Sequence, residues 1–436
     1  MRIVLCDYSG HPFQVELSRA LATRGHDLLH LHFAEFETPK GKLHRLPEDP
    51  PGFAVEGLRL NRDFDKRAFL RRRFWEAEVG RKAAHRALAF RPDVVIGCNM
   101  PLDAQWQLQR GCAPRGIPFV FWLQDLYSVA IHHYLGEKLG LLGRAIGRYY
   151  MRREQRMLRG SDAVVAISEK FRPPLERWKV MRARVHVIPN WAPLSEISPV
   201  PKDNAWAREH GLADKKVALY TGTLGLKHDP ALLLELARQG AAQGLQVVVV
   251  SAGAAVEWLA EQKRAARLDN LTLLPFQPME RYREVLGTGD ILLAMIDETA
   301  AGFSVPSKIL SYLAAGKPIV AAIAADNDAA EIIDAAAAGA VVRPGDPIGF
   351  CTQVLGLAAE PALHGSLGRN ARAFAERHFA IDGIADRFEA MLANVAPAQR
   401  AAAEKRLRLP FDAASASAPL VGAQGHRVEP AADHLP

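Results

Sequence analysis

The chain of 436 residues is 49% hydrophobic and 24% charged, and its 55 Lys and Arg against 48 Asp and Glu give a net charge of +7. This length and composition predict two or three domains with hydrophobic cores and exclude disordered, collagen-like and fibrous proteins. No stretch reaches the roughly 18 apolar residues of a membrane span, no signal peptide is recognisable and the four cysteines show no C-x-x-C spacing, so we expect a cytoplasmic protein with reduced thiols.

Short apolar and β-branched runs alternate with helical patterns along the chain. Twelve of these runs are predicted strands: Ile3–Leu5, Asp27–Leu31, Val94–Ile96, Phe119–Leu123, Ala163–Ile167, Val185–Ile188, Val217–Thr221, Gln246–Val250, Leu271–Leu274, Ile291–Ala294, Ile319–Ala322 and Ala340–Val342. Continuous apolar strands separated by helices are typical of parallel sheets covered on both faces. The predicted fold class is therefore α/β, with doubly wound Rossmann-like sheets.

A proline-rich stretch near the middle of the chain, Pro189–Lys202, suits neither a helix nor a strand interior. We therefore predict an N-terminal domain at 1–192, a linker at 193–204 and a C-terminal domain, with a final crossover helix, at 205–396. After Pro397 the chain is rich in Ala, Ser and Pro, which predicts a disordered tail at 397–436.

Two stretches of the N-terminal half hold most of the excess positive charge. Lys66–Arg91 has nine Lys and Arg against two Glu, including Arg71-Arg72-Arg73 beside Phe74-Trp75, and Lys138–Arg159 has seven against Glu154 alone. A basic amphipathic helix can lie on an anionic membrane surface. The alternative is a solvated helix whose apolar stripe packs on the sheet. No recognition motif for nucleic acid is present, so none is expected as a partner.

Open parallel sheets bind ligands beyond the carboxyl ends of their strands, so the loop after the first strand is informative. It runs Asp7–Pro12 and has one glycine, whereas a dinucleotide fingerprint needs three, which argues against a nicotinamide or flavin enzyme. Gly10 would let a ligand approach the backbone. His11, at the start of the next helix, is either a site residue or a capping or core histidine.

Two loops of the C-terminal half have features of a phosphate site. Gly222–His228 follows a strand and combines two glycines with Lys227, so that backbone N–H groups and a charge can approach an anion. Ser307 and Lys308 follow Pro306 at a predicted helix start, where a hydroxyl, an ammonium and the helix dipole converge. This predicts a diphosphate site; the alternative for Lys308 is an exposed lysine on a capped helix.

The order of six motifs resembles the GT-B-fold retaining glycosyltransferases of the glycogen synthase and sucrose synthase-like group. Within that group the sequence is most similar to bacterial enzymes that assemble capsule, O-antigen and colanic-acid-type polysaccharides. The matching stretches are Ser9–Phe13, Gln124–Tyr127, Ala166–Glu169, Ile188–Trp191, Gly222–His228 and Pro306–Pro318. The tail has no counterpart.

The resemblance implies two domains facing across a cleft, with the nucleotide sugar held by the C-terminal domain and a hydroxyl acceptor by the N-terminal domain. It implies that Lys227, Ser307 and Lys308 contact the diphosphate, that Gly222 and Thr223 line the same pocket, and that Phe276 and Gln277 grip the base. The residues assigned to catalysis are Lys308, His11 and Asp125. Asp125 would orient the acceptor hydroxyl or act as its base; alternatively, it caps the next helix.

One departure from the family pattern concerns two glutamates that contact the donor sugar and the ribose. Their positions are occupied here by Phe303 and Ser311, so Ser311 stands where the ribose contact is expected, and Glu298 is an alternative contact for the sugar or a surface loop residue.

The resemblance also implies a UDP-sugar donor, with GDP-sugars next, and a polyprenyl-diphosphate-linked saccharide acceptor in bacterial surface polysaccharide synthesis. The protein would lie peripherally on the inner face of the cytoplasmic membrane through its basic helices, and neither a metal nor another cofactor is expected. Two alternatives remain: a catalytically silent nucleotide-binding partner of an assembly complex, and a non-hydrolysing UDP-sugar epimerase.

Overall fold

The computed structural model describes residues 1–36, 41–60, 69–225, 228–296 and 307–396. The predicted tail at 397–436 lies outside these residues. Within them the chain forms two parallel sheets of seven and six strands, each with helices on both faces. None of the helices in these segments is long and apolar enough to cross a bilayer.

The N-terminal half forms the seven-stranded sheet. Its elements are β1 (Arg2–Asp7), α1 (Pro12–Thr23), β2 (Asp27–Phe33), β3 (Phe53–Leu58), α2 (Phe69–Phe90), β4 (Val94–Cys98), α3 (Leu102–Cys112), β5 (Phe119–Leu123), α4 (Tyr127–Arg159), β6 (Ala163–Ala166), α5 (Arg172–Arg177) and β7 (Val185–Val187). The strand order is β3-β2-β1-β4-β5-β6-β7. The order reverses between β1 and β4, which creates a crevice at their carboxyl ends.

The C-terminal half forms the six-stranded sheet. Its elements are α6 (Ala205–Glu209), β8 (Lys216–Thr221), α7 (Pro230–Gly240), β9 (Leu245–Val250), α8 (Ala254–Ala266), β10 (Leu271–Leu274), α9 (Tyr282–Thr288), β11 (Ile291–Met295), α10 (Ser307–Ala315), β12 (Ile319–Ala322), α11 (Asp328–Ala335), β13 (Gly339–Val342), α12 (Pro347–Ala359), α13 (Pro361–His378) and α14 (Ile381–Val395). The order β10-β9-β8-β11-β12-β13 reverses between β8 and β11.

All twelve predicted strands are present, and the α/β class with two Rossmann-like domains is confirmed. Sequence reasoning missed β3. This strand lies at the edge of its sheet, pairs only with β2 and is mostly half-exposed, so it lacks the continuous apolar run that reveals a buried parallel strand. The predicted linker lies within residues 188–204, which contain no helix or strand.

The segment that leaves the first sheet is held by aromatic packing. Trp191 is fully buried, stacks on Trp122 with ring centroids 6.0 Å apart and donates its indole N–H to Glu16 at 2.7 Å. One residue earlier, the Asn190 and Gln124 amides exchange two hydrogen bonds of 2.9 and 3.1 Å. The motif stretches Gln124–Tyr127 and Ile188–Trp191 are therefore hydrogen-bonded to each other where the chain passes between the sheets.

The final helix, α14, returns to the first sheet and packs on α1. Phe388 meets the Trp122 ring edge-on at 4.9 Å, and His26 Nε2 lies 2.8 Å from Glu389 Oε1. Arg24 Nη2 lies 3.2 Å from a carboxylate oxygen of Asp386. The last helix thus ties the C-terminal half to the N-terminal sheet.

A second contact joins the two halves at their strand ends. Lys170, in the loop after β6, places its Nζ 3.0 Å from Asp328 Oδ1 and 2.9 Å from Glu331 Oε1 of α11, and donates to the Asp326 carbonyl. The loop before α11 follows β12. Loops at the carboxyl edges of the two sheets therefore meet at this contact.

Candidate functional site

The reversal point of the second sheet collects the loops after β8 and β11 and the start of α10. Helix α10 is fixed there by Tyr312, which is fully buried. Its Oη accepts a hydrogen bond from Thr221 N–H at 3.3 Å and lies 3.1 Å from Leu293 O, an acceptor for the hydroxyl proton. Because Tyr312 is one helical turn after Lys308, this anchor turns Lys308 toward the end of β8.

Lys308 occupies the centre of this site. Its Nζ is buried and lies 3.9 Å from the centroid of the Tyr220 ring, at the end of β8. A cation over an aromatic face is stabilised by about 2 kcal/mol when both are desolvated. The Tyr220 hydroxyl in turn donates to Thr223 O at 3.1 Å. The alternative of an exposed surface lysine is therefore wrong for Lys308.

Gly222 gives Lys308 its space. A Cβ atom at this position would lie 3.3 Å from Lys308 Nζ, and the φ of +118° is one that L-residues rarely adopt. The Gly222 N–H donates to Val250 O at 3.1 Å, so it belongs to the sheet. Gly222 thus leaves room for the ammonium at the pocket wall. Its N–H group was expected to donate to a phosphate, but it already donates to the Val250 carbonyl.

The structure describes only some of the other residues predicted for this site. The backbone of Ser307 begins α10 at the predicted position. Burial raises the pKa of the Tyr282 hydroxyl to about 12, and the Thr221 and Ser311 side chains act against that rise. Lys227, Phe303 and the alternative Glu298 lie outside the described residues.

The predicted base-binding residues lie in the loop after β10. Phe276 is 52% exposed. The Gln277 side chain accepts from the Trp206 indole N–H at 2.9 Å and donates to Pro275 O at 2.9 Å, so both ends of its amide support the loop. Since β10 is two strands from β8, this loop lies about 10 Å from Gly222. That separation suits a nucleotide lying along the sheet edge, and the base contact stays a prediction.

The reversal point of the first sheet is organised by Asp7, a residue that sequence reasoning did not select. Asp7 is fully buried at the end of β1 and accepts hydrogen bonds from the N–H groups of Ser9, at 3.1 Å, and His11, at 2.8 Å. Burial raises its pKa to about 7, although these bonds and one from the Asn99 side chain favour the ionised form. Asn99, directly after β4, adopts a positive φ of 49°. A buried acid and a strained neighbour thus define this crevice.

His11 and Asp125 lie at this same edge. His11 is the N-cap residue of α1, but its side chain makes no capping hydrogen bond and is only half-buried. Its side chain is therefore neither a helix cap nor part of the core. Asp125 is exposed, one residue before the N-cap of α4. Burial, followed by the charges of Asp125 and Asp7 among others, raises the pKa of Tyr127. The expected open face beside Gly10 is occupied by Leu43, whose Cδ1 would lie 2.7 Å from a Cβ atom there.

The raised pKa of Asp7 predicts a measurable dependence of stability on pH. Between about pH 4 and 7 the folded protein holds a proton on Asp7 that the unfolded chain, with its ordinary pKa of 3.8, releases. The free energy of unfolding therefore falls as pH rises, by about 1.4 kcal/mol per pH unit from this group. We expect Asp7→Asn to remove this slope in denaturant titrations.

Two comparisons isolate the effect of Asp7. Burial also raises the pKa values of Glu76 and Glu154 to about 7, and these groups add the same slope to the wild type and the variant. Asp269→Asn, which removes an exposed carboxylate, should leave the slope unchanged. Equal slopes in the wild type and Asp7→Asn would refute the assignment of a proton to Asp7.

Among the residues that the structure describes, no group of three or more His, Cys, Asp or Glu side chains is arranged to hold a metal ion. The four cysteines are buried as free thiols.

Comparison with known proteins agrees with this architecture. A family model described as "Glycosyl transferase 4-like domain" matches residues 11–191, and one described as "Glycosyl transferases group 1" matches residues 215–360, which together are most of the chain. The crystal structure of HepE from Anabaena in complex with UDP and glucose superimposes with a TM-score of 0.66 at 18% identity, over 90% of this chain and 100% of that one. At this identity the likeness shows the fold.

Two curated relatives match about half of the chain. The probable glycosyltransferase WbjE of Pseudomonas aeruginosa is 25% identical over 48% of this chain and 50% of its own length. The putative colanic acid biosynthesis glycosyl transferase WcaI of Escherichia coli is 26% identical over 52% of this chain and 56% of its own length. The chain thus spans about half the length of each. Two facing Rossmann-like sheets, with a domain model of this kind matched to each, show that the chain belongs to the GT-B-fold glycosyltransferases.

Proposed function

We propose that the protein transfers a sugar from a nucleotide diphosphate sugar, with UDP-sugars preferred, to a hydroxyl of a polyprenyl-diphosphate-linked saccharide. The observation that carries this proposal is the buried Lys308 ammonium, held over Tyr220 at the reversal point of the second sheet. The solved HepE structures, one with UDP and glucose and one with UDP-glucose, support this class of donor. The description of WcaI supports polysaccharide assembly as the setting.

The chemistry follows from charge development on the donor. As the glycosidic bond breaks, negative charge grows on the departing diphosphate, and a fixed cation beside a helix N-terminus stabilises it more than it stabilises the ground state. Lys308 supplies that cation, and Lys227 is proposed as a second. With two lysines in place no metal is required, so transfer should continue in excess chelator.

The acceptor is assigned to the first sheet. Asp125, exposed at the end of β5, would orient the attacking hydroxyl or accept its proton, and His11 lies at the same edge. We propose retention of the anomeric configuration through attack on the same face that the diphosphate leaves, with Asp125 orienting the hydroxyl and the departing phosphate taking the acceptor proton. In the alternative, Asp125 takes that proton as the general base and the phosphate leaves without it. We also propose that the protein works at the inner face of the cytoplasmic membrane and docks there through its basic helices.

A catalytically silent nucleotide-binding partner is the second candidate. It is favoured by one observation: Ser311, which has no carboxylate, stands at the position of the expected ribose glutamate. Such a protein would bind a nucleotide diphosphate without turnover, whereas the transferase would consume the corresponding sugar nucleotide.

A thermal-shift comparison with UDP, GDP, ADP and CMP tests the donor site. A ligand present at 100 times its dissociation constant adds about 2.7 kcal/mol to stability, so one diphosphate should raise the Tm of the wild type. Lys308→Met keeps an apolar chain of similar length against Tyr220 and removes the charge, and it should lose the shift. If no nucleotide changes the Tm of the wild type, the donor proposal fails. If binding occurs but no sugar is transferred to lipid-linked saccharides, the silent partner is favoured.

A further inference from the structure

The long helix α4 is a hairpin of two helical arms. Gly140, with φ 54° and ψ −126°, breaks the helical path, so we call residues 127–139 the first arm and residues 141–159 the second arm. The arms are in close contact: a Cβ atom at Gly143 would lie 1.8 Å from Leu135 O, and one at Gly147 would lie 2.5 Å from the His132 Cα. Glycine at both positions lets the two backbones approach, and any larger residue would push the arms apart. The sequence therefore specifies the hairpin.

The tip of this hairpin is apolar and exposed. Leu139, Leu141 and Leu142 are 50%, 81% and 65% exposed. Among the described residues, these three leucines and two tyrosines of the same helix, Tyr134 and Tyr149, are five of the eleven large hydrophobic side chains that are strongly exposed. Isolated apolar side chains on a surface are ordinary, but a cluster at the end of a projecting hairpin marks a contact surface.

Positive charge surrounds the leucines. Lys138 lies directly before them and the exposed Arg144 and Arg148 follow on the second arm, against the single acid Glu137. The N-terminal part of α2, in the same half of the chain, is also basic. That part also exposes Arg71 and Phe74. An apolar tip within a ring of cations complements an anionic bilayer, whose surface attracts the cations and whose acyl region accepts the leucines.

We propose that the tip, Leu139–Leu142, inserts into the boundary between headgroups and acyl chains of an anionic bilayer, while Lys138, Arg144 and Arg148 contact lipid phosphates. This inference rests on the proposed function, since a lipid-linked acceptor requires the protein to meet a membrane. The first arm of 13 residues begins beside Asp125 and spans about 20 Å. The inserted tip would therefore hold the acceptor edge of the cleft about one arm length from the bilayer.

Vesicle partitioning of the full chain tests the tip. Vesicles of phosphatidylethanolamine with phosphatidylglycerol should bind the wild type, and phosphatidylcholine vesicles should bind it far less. The triple variant Leu139→Ser, Leu141→Ser, Leu142→Ser should partition at least tenfold more weakly at every salt concentration. The paired control Ile348→Ser, Leu363→Ser removes exposed apolar side chains of the C-terminal half and should bind like the wild type.

A fluorescence measurement separates insertion from surface adsorption. The four native cysteines are buried, so an environment-sensitive dye on Leu141→Cys reports the tip, and its emission should shift to the blue on anionic vesicles. The same dye on Leu363→Cys should not shift. Lys138→Gln, Arg144→Gln, Arg148→Gln should weaken partitioning mainly at low salt, because exposed charges are screened as salt rises.

The outcomes are distinct from those that test the proposed function. Equal partitioning of the wild type and the triple serine variant, or no blue shift at Leu141→Cys, overturns the proposal. The proposal is also overturned if the wild type binds no vesicles and is a dimer that the serine substitutions convert to a monomer. In that case a second copy of the chain covers the tip. Sugar transfer to a water-soluble acceptor analogue should be unaffected by the serine substitutions. If the wild type inserts its tip but transfers no sugar, the proposed function is wrong and the proposal for the tip stands.

Discussion

Lys308→Ala should lower the rate of sugar transfer by about 10²–10³-fold, the typical cost of removing one donor that stabilises developing negative charge. The Nζ of Lys308 is buried over Tyr220 and beside Gly222, at the start of α10. The folded protein should persist, because the lost attraction to the ring is offset by the removed cost of burying an ammonium. The measurement is kcat at saturating donor, together with the Tm of the ligand-free protein.

A second lysine at the other end of the same helix provides the control. Lys317 donates to Gly287 O at 2.6 Å, and burial lowers its pKa. Its contact is within the framework, so Lys317→Ala should destabilise the protein by about 1–3 kcal/mol and leave kcat nearly unchanged in the folded fraction. The two substitutions should therefore separate rate from stability. Wild-type turnover in folded Lys308→Ala would end the proposed diphosphate role.

The position of Lys308 could be predicted from the sequence, but its surroundings could not. A proline, a serine and a lysine at a helix start indicate an anion site from local rules alone. The ring beneath the ammonium belongs to Tyr220, which lies on another strand and reaches Lys308 only because β8 and β11 pair at the reversal point. Tyr220 lies two residues before Gly222 in the sequence, and that spacing alone does not indicate a contact with a lysine.

The N-terminal crevice illustrates a different limit. His11 and Asp125 were found because they follow predicted strands, whereas Asp7 was passed over as part of the loop. Its importance comes from complete burial and from two N–H groups that converge on its carboxylate. Residue type and spacing show neither property, since the burial depends on the packing of the sheet around β1 and the hydrogen bonds depend on the path of the loop that follows it.

The α4 hairpin shows how a correct local pattern can mislead. The basic residues and the leucines of 138–159 do form helix. Leu139 and Leu142 are exposed at the turn of the hairpin, however, so they are not part of an apolar stripe that packs on the sheet. The spacing of Gly140, Gly143 and Gly147 was the available signal. Glycines that recur on one helix face predict close backbone contact, and Gly143 and Gly147 make such a contact with the first arm.

Gly222→Ala tests whether the geometry around Lys308 matters as much as its charge. A methyl group at this position would lie 3.3 Å from Lys308 Nζ and 3.5 Å from its Cε, on a backbone with φ +118°. The flexible lysine can move aside, so the contact displaces the ammonium, and the backbone strain costs about 1–3 kcal/mol of stability. Since a misplacement of about 1 Å can cost on the order of 10² in rate, we expect kcat to fall by about 10- to 100-fold.

Gly356→Ala, in α12 and outside the candidate site, is the control, because a Cβ atom there meets no atom within 4 Å and its φ lies outside the positive region that glycine favours. It should retain wild-type kcat. A double variant sharpens the result: if the methyl group acts by displacing the ammonium, adding Gly222→Ala to Lys308→Ala should slow transfer little further, since both changes remove the same interaction. Independent, multiplying losses would show instead that Gly222 serves the donor through its own backbone, and the steric role assigned to it would be wrong.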